Sequence, residues 1–336
     1  MKKIDFVSIL KTLIAFFSGA AVCILIIVFF AKNPSNALKT LFLGTFSSKY
    51  YFGTMLNTAS LLMISGTGAA IGLKSGNMNL GGEGQIYAGA YAGTFVLVSV
   101  NAFSDSIVFL LALFAALFTG ALMTSLSALL KKIRKAEVLL TSFLISAATI
   151  PFVDSLISQN QLDGNLLSLP YIKESFRFKS ILPPSSLSVI LFFAIALCIL
   201  SFCFLHYSQK GRELQLWGIA PEFARFSGFN EISSSTAALL ISGMLHALTG
   251  FFAVCGTFYT CHKGFYSGMG WNALSASLIV CSNPIALIFA AILLSWLYTS
   301  ADLVGLTQGF SFDISGIVQG CILFAIALAF NSREKK

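Results

Sequence analysis

The residues best suited to chemistry in this chain lie in the segment Ser75–Gln85, which joins two apolar stretches. Polar side chains are packed there among glycines. The polar residues are Asn77, Asn79, Glu83 and Gln85, and the glycines are Gly76, Gly81, Gly82 and Gly84. Because an unpaired polar group in hydrocarbon is costly, this glycine-rich motif is predicted to be buried in protein or to line a wet cavity. It is therefore the first candidate for a transport path.

Glu83 is the most informative residue of the glycine-rich motif, and two interpretations of its role stay open. A carboxylate at bilayer depth costs about 2.5–3.5 kcal/mol on insertion scales, so Glu83 is expected to face protein or water. It either caps the helix predicted to begin near Gly84, where the helix dipole favours a negative charge, or it contacts solute. Asn79 and Gln85 either bind a polar ligand or satisfy the unwound backbone, and the second use is favoured.

A second informative stretch, 211–230, reads GRELQLWGIAPEFARFSGFN and mixes apolar with charged side chains. Pro221 suits the first turn of a short helix. An interfacial helix lying on lipid is one interpretation, although such helices usually carry more Lys and Arg. The favoured interpretation is a docking surface for a soluble partner.

The composition predicts an all-α integral membrane protein. Of 336 residues, 57% are hydrophobic and 10% are charged, whereas soluble domains carry about 25% charge. The apolar segments have the length of helices rather than of membrane strands, which predicts about ten transmembrane helices. The candidate spans are 9–31, 54–73, 86–101, 107–130, 138–158, 186–206, 234–258, 270–282, 284–301 and 313–330. The short spans 86–101 and 270–282 are predicted to be broken helices near the centre.

The whole chain, 1–336, is predicted to form one transmembrane domain. Its predicted parts are a first span (9–31), a helical block (54–158), a linking span (186–206), a cytoplasmic loop (207–233) and a second block (234–330). LLMISG at 61–66 echoes LLISG at 239–243, as expected of two halves that form an inverted repeat. The loops on the side of both termini carry twice as many Lys and Arg as the opposite loops, so both termini are predicted to be cytoplasmic.

Several classes of function find no support in the sequence. The basic residues sit in loops between spans and predict no nucleic-acid partner. No spacing suits a metal or cofactor, and no HExxH or paired-carboxylate constellation suggests a membrane enzyme. No Gly-Lys dipeptide occurs, so a Walker A loop is absent and ATP hydrolysis would need another chain. Asp154 and His246 leave open an ion-coupled secondary transporter with a proton relay.

The two stretches together resemble the permease subunits of ABC-type nucleoside importers, within the wider family of nucleoside, simple-sugar and branched-chain amino acid permeases. NLGGEGQ at 79–85 matches the hallmark of the nucleoside branch. The loop after Gly211 matches at Glu213, Leu214, Gly218, Pro221, Glu222, Ala224 and Gly228. Departures occur at Gln215, where Arg is usual, at Ala220, where Asn is common, and in the loosely matching segment 268–284.

The resemblance implies a non-enzymatic permease of an ATP-driven importer, which moves nucleosides inward by alternating access. Riboflavin, or another ring-bearing or sugar solute, is the alternative cargo. It implies a bacterial cytoplasmic membrane and three protein partners: a cytoplasmic ATPase, a second, paralogous permease, and an extracytoplasmic solute-binding lipoprotein. The implied path residues are Asn77, Asn79, Gly81, Gly82, Glu83, Gly84 and Gln85. The implied ATPase-coupling residues are Gly211, Glu213, Leu214, Gly218, Glu222, Arg225 and Gly228.

Overall fold

A computed structural model describes residues 6–159 and 167–331, with side chains for 17–159 and 167–325. Both termini, and with them much of the charge count that sets the orientation, lie outside the described residues. Over the described ranges the chain forms thirteen α-helices and no β-strand. The helices are α1 Phe6–Phe30, α2 Pro34–Leu43, α3 Lys49–Lys74, α4 Gly82–Ser99, α5 Asp105–Arg134, α6 Val138–Gln159, α7 Ile190–Tyr207, α8 Gln209–Ile219, α9 Pro221–Phe226, α10 Ala237–Ala253, α11 Met269–Ile279, α12 Pro284–Gln308 and α13 Ile314–Asn331. Two π-helical turns, Ile232–Thr236 and Val254–Phe258, flank α10.

Each of the ten apolar spans predicted from the sequence overlaps a helix over most of its length. Within the described residues, six helices are long and apolar enough to cross a membrane: α3, α5, α6, α7, α12 and the continuous helix Ile232–Phe258 that contains α10. By contrast, α11 has 11 residues, or about 16 Å, which is too short for a hydrocarbon core of about 30 Å.

Helix α3 is the centre of the molecule and packs against α7, α10, α11 and α12. In its most apolar 18-residue stretch, 83% of α3 is buried, whereas only 28% of the corresponding stretch is buried in each of α5, α6 and α7. Small residues allow this packing: a Cβ on Gly68 would lie 2.9 Å from the Ser242 carbonyl oxygen of α10. The outer helices therefore leave apolar surface free for lipid or for another subunit.

Helix α2 and the start of the linking span are two of the features that differ from the sequence prediction. The amphipathic helix α2 follows the first span and was not predicted; Pro34 occupies its first turn and the Asn33 side chain caps it. The linking span begins at Ile190 rather than at 186, because the preceding residues fold into an irregular turn around Pro183 and Pro184, neither of which has an N–H to donate to a helix.

The segment that follows α6 is tied to the end of the helix containing α10. The Leu169 N–H donates to the Cys261 carbonyl and the Ile172 N–H to the Tyr259 carbonyl, each at 2.9 Å. The Arg177 guanidinium lies 4.9 Å from the centre of the Tyr259 ring, within the range of a cation–π contact. The described part of this loop, from residue 167 onward, is thus fastened to the helical body.

Candidate functional site

The glycine-rich motif forms an unwound connection between α3 and α4. Helix α3 ends at Lys74, and Gly76 turns the chain with φ of +77°, a conformation that favours glycine. The polar side chains of the motif are all buried, with exposures of 1–7% for Asn77, Asn79, Glu83 and Gln85. The motif was predicted either to be buried in protein or to line a wet cavity, and most of it is buried in protein.

The amides of Asn79 and Gln85 satisfy each other across the start of α4. Asn79 Nδ2 donates to Gln85 Oε1 at 2.9 Å, and Gln85 Nε2 donates back to Asn79 Oδ1 at 3.0 Å. Asn79 Oδ1 also accepts from the Gly81 N–H at 3.0 Å, and its Nδ2 lies 3.1 Å from Ser242 Oγ. This arrangement uses both side chains to hold the unwound backbone rather than presenting them to a cavity.

Two serines of α6, which the sequence analysis missed, accept hydrogen bonds from further backbone N–H groups of the motif. The Leu80 N–H donates to Ser142 Oγ at 3.0 Å, and the Gly84 N–H donates to Ser146 Oγ at 2.8 Å. Their four-residue spacing places both hydroxyls on one helix face. Two serines four residues apart in an otherwise apolar span were the sequence signal that could have identified this face.

Glu83 caps a helix, but not the one expected from the sequence. Its Oε1 accepts from the N–H groups of Gly270 (2.9 Å) and Trp271 (3.2 Å), at the N-terminus of α11. The two short helices α4 and α11 meet here with their backbones in contact, since a Cβ on Gly82 would lie 3.1 Å from the Gly270 Cα. The carboxyl group therefore caps the positive end of the α11 dipole, and its Oε2 has no hydrogen-bond partner among the described residues.

Asp154 and His246, the residues considered for a proton relay, each bind a different hydroxyl. Tyr87 donates to Asp154 Oδ1 at 2.6 Å, and His246 Nδ1 lies 2.6 Å from Ser65 Oγ. His246 is buried beside Gly82, whereas Asp154 is partly exposed. The described hydrogen bonds do not join the two groups into one chain.

The 207–233 loop contains two short helices, as Pro221 predicted for the second of them. Gly211 lets α8 fold back onto the end of α7, because a Cβ there would overlap the Phe204 carbonyl oxygen, and Leu214 is buried beside it. Glu213 Oε2 accepts from Lys210 Nζ (2.9 Å) and from Ser234 Oγ (3.2 Å). The hydrogen bond from Lys210, followed by that from Ser234, lowers the pKa of Glu213 below its ordinary range.

The 207–233 loop touches the glycine-rich motif directly. A Cβ on Gly218 would overlap the carbonyl oxygen of Lys74 and lie 2.9 Å from the Gly76 nitrogen. A Cβ on Gly76 would in turn lie 3.1 Å from the Gly218 Cα. Only glycine at both positions permits this backbone contact. A shift of α8 would therefore displace the backbone at the start of the motif.

Beyond Gly218 the loop presents an exposed tip. Phe223 and Phe226 are 60% and 87% exposed, and the neighbouring charged residues Glu222 and Arg225 are exposed as well. Gly228, with φ of +78°, turns the chain away from α9. A cluster of exposed aromatic and charged side chains at a loop tip is typical of a surface that binds another protein.

A cavity of about 1020 Å³ opens between the motif, the α5–α6 connection and the start of the helix that contains α10. Asn77 and Met78 line it on the motif side, and Lys131 and Glu231 line it as well. Its volume is at the upper end of the range of about 300–1,000 Å³ found for small-molecule pockets. Within the described residues, no three His, Cys, Asp or Glu side chains are placed to hold a metal ion.

Comparison with known proteins gives concordant matches. Residues 51–327 match the family described as "Branched-chain amino acid transport system / permease component". The probable riboflavin import permease protein of Treponema pallidum (strain Nichols) is 31% identical over 96% of this chain and 86% of its own length. The guanosine ABC transporter permease protein of Bacillus subtilis (strain 168) is 24% identical over 97% and 94%. A nucleoside ABC transporter permease protein of Lactococcus lactis subsp. cremoris (strain MG1363) is 25% identical over 96% and 91%.

Proposed function

This chain belongs to the branched-chain amino acid transport system permease family, and on that premise we propose that it is the membrane permease of an ATP-driven importer. The observation that carries the proposal is the backbone contact between Gly218 and Gly76. It joins an exposed surface suited to a soluble partner with the buried polar motif inside the helical body. Through this contact, a conformational change in a partner ATPase bound to the loop would be transmitted to the buried motif.

The proposed mechanism is alternating access. A partner ATPase docks on the exposed tip around Phe223 and Phe226, and its closure pushes the short helices α8 and α9. Because Gly218 leaves no gap against the end of α3, the push reaches the glycine-rich motif and the α4–α11 contact held by Glu83. Helices packed without voids transmit such a displacement rather than absorb it.

For the cargo, two ring-bearing solutes are supported by relatives. A flavin is supported by the relative named as a probable riboflavin import permease, at 31% identity over nearly the whole chain. A nucleoside, the cargo predicted from the sequence, is supported by the guanosine and nucleoside permeases at 24% and 25% identity. We propose riboflavin as the first solute to test and guanosine as the second.

The proposed assembly places this chain in a bacterial cytoplasmic membrane, with about ten of its helices spanning the membrane, both termini inside and two halves related as an inverted repeat. Its partners are a cytoplasmic ATPase, a second permease and an extracytoplasmic solute-binding protein. The weakly buried helices α5, α6 and α7 provide the surface for lipid and for the second permease. The motif residues 77–85 border the path, and the loop residues Gly211–Gly228 receive the ATPase.

The deciding experiment measures uptake of labelled riboflavin and labelled guanosine into cells with and without this chain, before and after ATP depletion. Chain-dependent uptake of one solute that stops on ATP depletion is the expected result, and the solute identifies the cargo. Uptake that survives ATP depletion but collapses with the proton gradient would contradict the proposal. It would favour an ion-coupled transporter that uses Asp154 and His246.

A further inference from the structure

Lys131, at the end of α5, joins three segments of the chain through one ammonium group. Its Nζ donates to Asn77 Oδ1 at 2.9 Å and lies 3.5 Å from Glu231 Oε1. Asn77 belongs to the glycine-rich motif, and Glu231 ends the 207–233 loop. Lys131 belongs to neither stretch; it opens the basic segment 131–144, which resembles the basic loop of the permease family.

The Asn77 side chain is the buried partner in this arrangement. It is 2% exposed, and its Nδ2 donates to the Ser235 carbonyl at 2.9 Å and to Ser235 Oγ at 2.8 Å. Its Oδ1 accepts from Lys131. Removing the ammonium would leave a buried acceptor without that bond, which is far more costly than losing an exposed one.

The two contacts of Lys131 are unequal. The side chains of Lys131 and Glu231 are 38% and 50% exposed, so the ion pair between them is screened by water and is weak by itself. The bond to Asn77 is charge-assisted and ends on a buried atom, which makes it the stronger of the two. The other charged groups around the same cavity are Lys132, Lys135 and Glu137.

The element that follows Glu231 is suited to movement. Residues Ile232–Thr236 form a π-helical turn that leads into α10, and Ser235, the second partner of Asn77, lies within it. Such turns hold an extra residue and mark places where a helix changes register at functional sites. A displacement of the loop would therefore reach Asn77 at this turn.

We propose that Lys131 is a positioning residue that ties the motif at Asn77 to the end of the 207–233 loop, so that movement of the loop is coupled to the motif. This inference rests on the proposed function, because it gives the loop a second route to the motif besides the Gly218 contact. Loss of the tie would free the cavity wall formed by Asn77 and Met78 without removing the exposed docking tip.

The first test is independent of transport. Met78→Cys, in the full-length chain in membranes, is treated with a methanethiosulfonate reagent, and the labelling of its peptide is followed by mass spectrometry to separate it from the native cysteines. Adding Lys131→Met is expected to raise the labelling rate at position 78 about fivefold. The matched control Lys132→Met removes a neighbouring exposed lysine and leaves the rate unchanged. An unchanged rate with Lys131→Met would overturn the proposal.

The second test uses the assembled importer in proteoliposomes and compares solute moved with ATP hydrolysed. Lys131→Met is expected to lower the solute transported per ATP about tenfold while the rate of ATP hydrolysis stays near the wild-type value. The same change in an Asn77→Ala background is expected to add little, since the partner is already gone. Full additivity of the two losses, or a parallel loss of transport and hydrolysis, would contradict a role through Asn77.

The two tests separate the two proposals. If neither riboflavin nor guanosine is transported by the wild-type assembly, the proposed function fails, while the labelling experiment still decides whether Lys131 holds the motif. If transport is ATP-driven and labelling does not respond to Lys131→Met, the importer stands and the tie is rejected.

Discussion

The glycine-rich motif and the 207–233 loop meet at Gly76 and Gly218, yet they differ in almost every physical respect. The motif buries its amides and its carboxylate and pairs nearly all of them, whereas the loop exposes two phenylalanines and most of its charges. Buried polar groups are stable only when they are hydrogen-bonded, so the motif is fixed by its own contacts. The exposed tip has no such need and is free to serve a partner. Changes in the motif should therefore cost stability, and changes at the tip should cost only assembly.

The largest effect is expected at the α4–α11 contact. In Gly270→Val, the Cβ would lie 2.5 Å from the Glu83 nitrogen and 2.7 Å from the Gly82 carbonyl carbon, both backbone atoms that have no room to move. We expect a loss of about 3 kcal/mol or more in stability, measured as the amount of monodisperse protein and its unfolding temperature in detergent. Gly305→Val, which introduces the same side chain at a helical glycine with open space around it, is the matched control. A stable Gly270→Val protein would show that the two backbones are not in contact.

A smaller effect is expected from the cap that joins the same helices. Glu83→Ala removes the acceptor of two N–H groups at the start of α11 and should cost about 1–3 kcal/mol. Glu83→Gln keeps a carbonyl oxygen in place and should lose only the attraction of the charge to the helix dipole, about 0.3–1 kcal/mol. Unfolding temperatures of the three proteins compare these values. Equal losses in both variants would mean that the charge, and not the hydrogen bonds, holds α11.

At the loop tip the expected effect on stability is close to zero. Phe226→Ser changes a side chain that is 87% exposed, so the free energy of unfolding should stay within about 0.5 kcal/mol of the wild type. Binding of the partner ATPase, measured by co-purification, should nevertheless fall about tenfold. The control Phe103→Ser alters a phenylalanine that is 56% exposed in the α4–α5 connection and should leave co-purification intact. If both variants behaved alike, the tip would not be the docking surface.

The smallest effect is a pH dependence within the loop. The pKa of Glu213 is lowered from its ordinary value of 4.5, first by the hydrogen bond from Lys210 and then by that from Ser234. The carboxylate therefore contributes its stabilisation above pH 4.5, and the contribution is lost as the pH falls through the lowered pKa. Amide hydrogen exchange in α8, corrected for the intrinsic rate, should become faster as the pH falls through the lowered pKa of Glu213. Glu213→Gln should abolish this acceleration, and the control Glu222→Gln should retain it.

Much of the fold was predictable because it depends on hydrophobicity summed over long segments. The predicted apolar spans coincide with helices, and Pro221 marks the start of α9. The boundaries were less predictable where single residues decide them, as at Gly82, where α4 begins earlier than the predicted span. Helix α2 was missed because ten residues of mixed polarity give a weak signal beside long apolar spans.

The partners of the motif residues were less predictable than their burial. A carboxylate in an apolar chain must be paired or hydrated, which is a property of the residue type and is readable from sequence. Glu83 could cap its own helix or another one, and the choice of α11 depends on a contact between residues 187 positions apart. The spacing of residues within one chain carries no information on such a contact.

The sequence by itself determined that this protein is a helical membrane protein with one polar, glycine-rich interruption and one amphipathic loop, because these features follow from local composition and period. Only the tertiary structure decided that the two stretches meet at Gly76 and Gly218, that Ser142 and Ser146 satisfy the unwound backbone, and that Lys131 bridges Asn77 and Glu231. These contacts join residues far apart in the chain. They exist because close packing of the helices brings such residues within hydrogen-bond distance, and no local pattern specifies that packing.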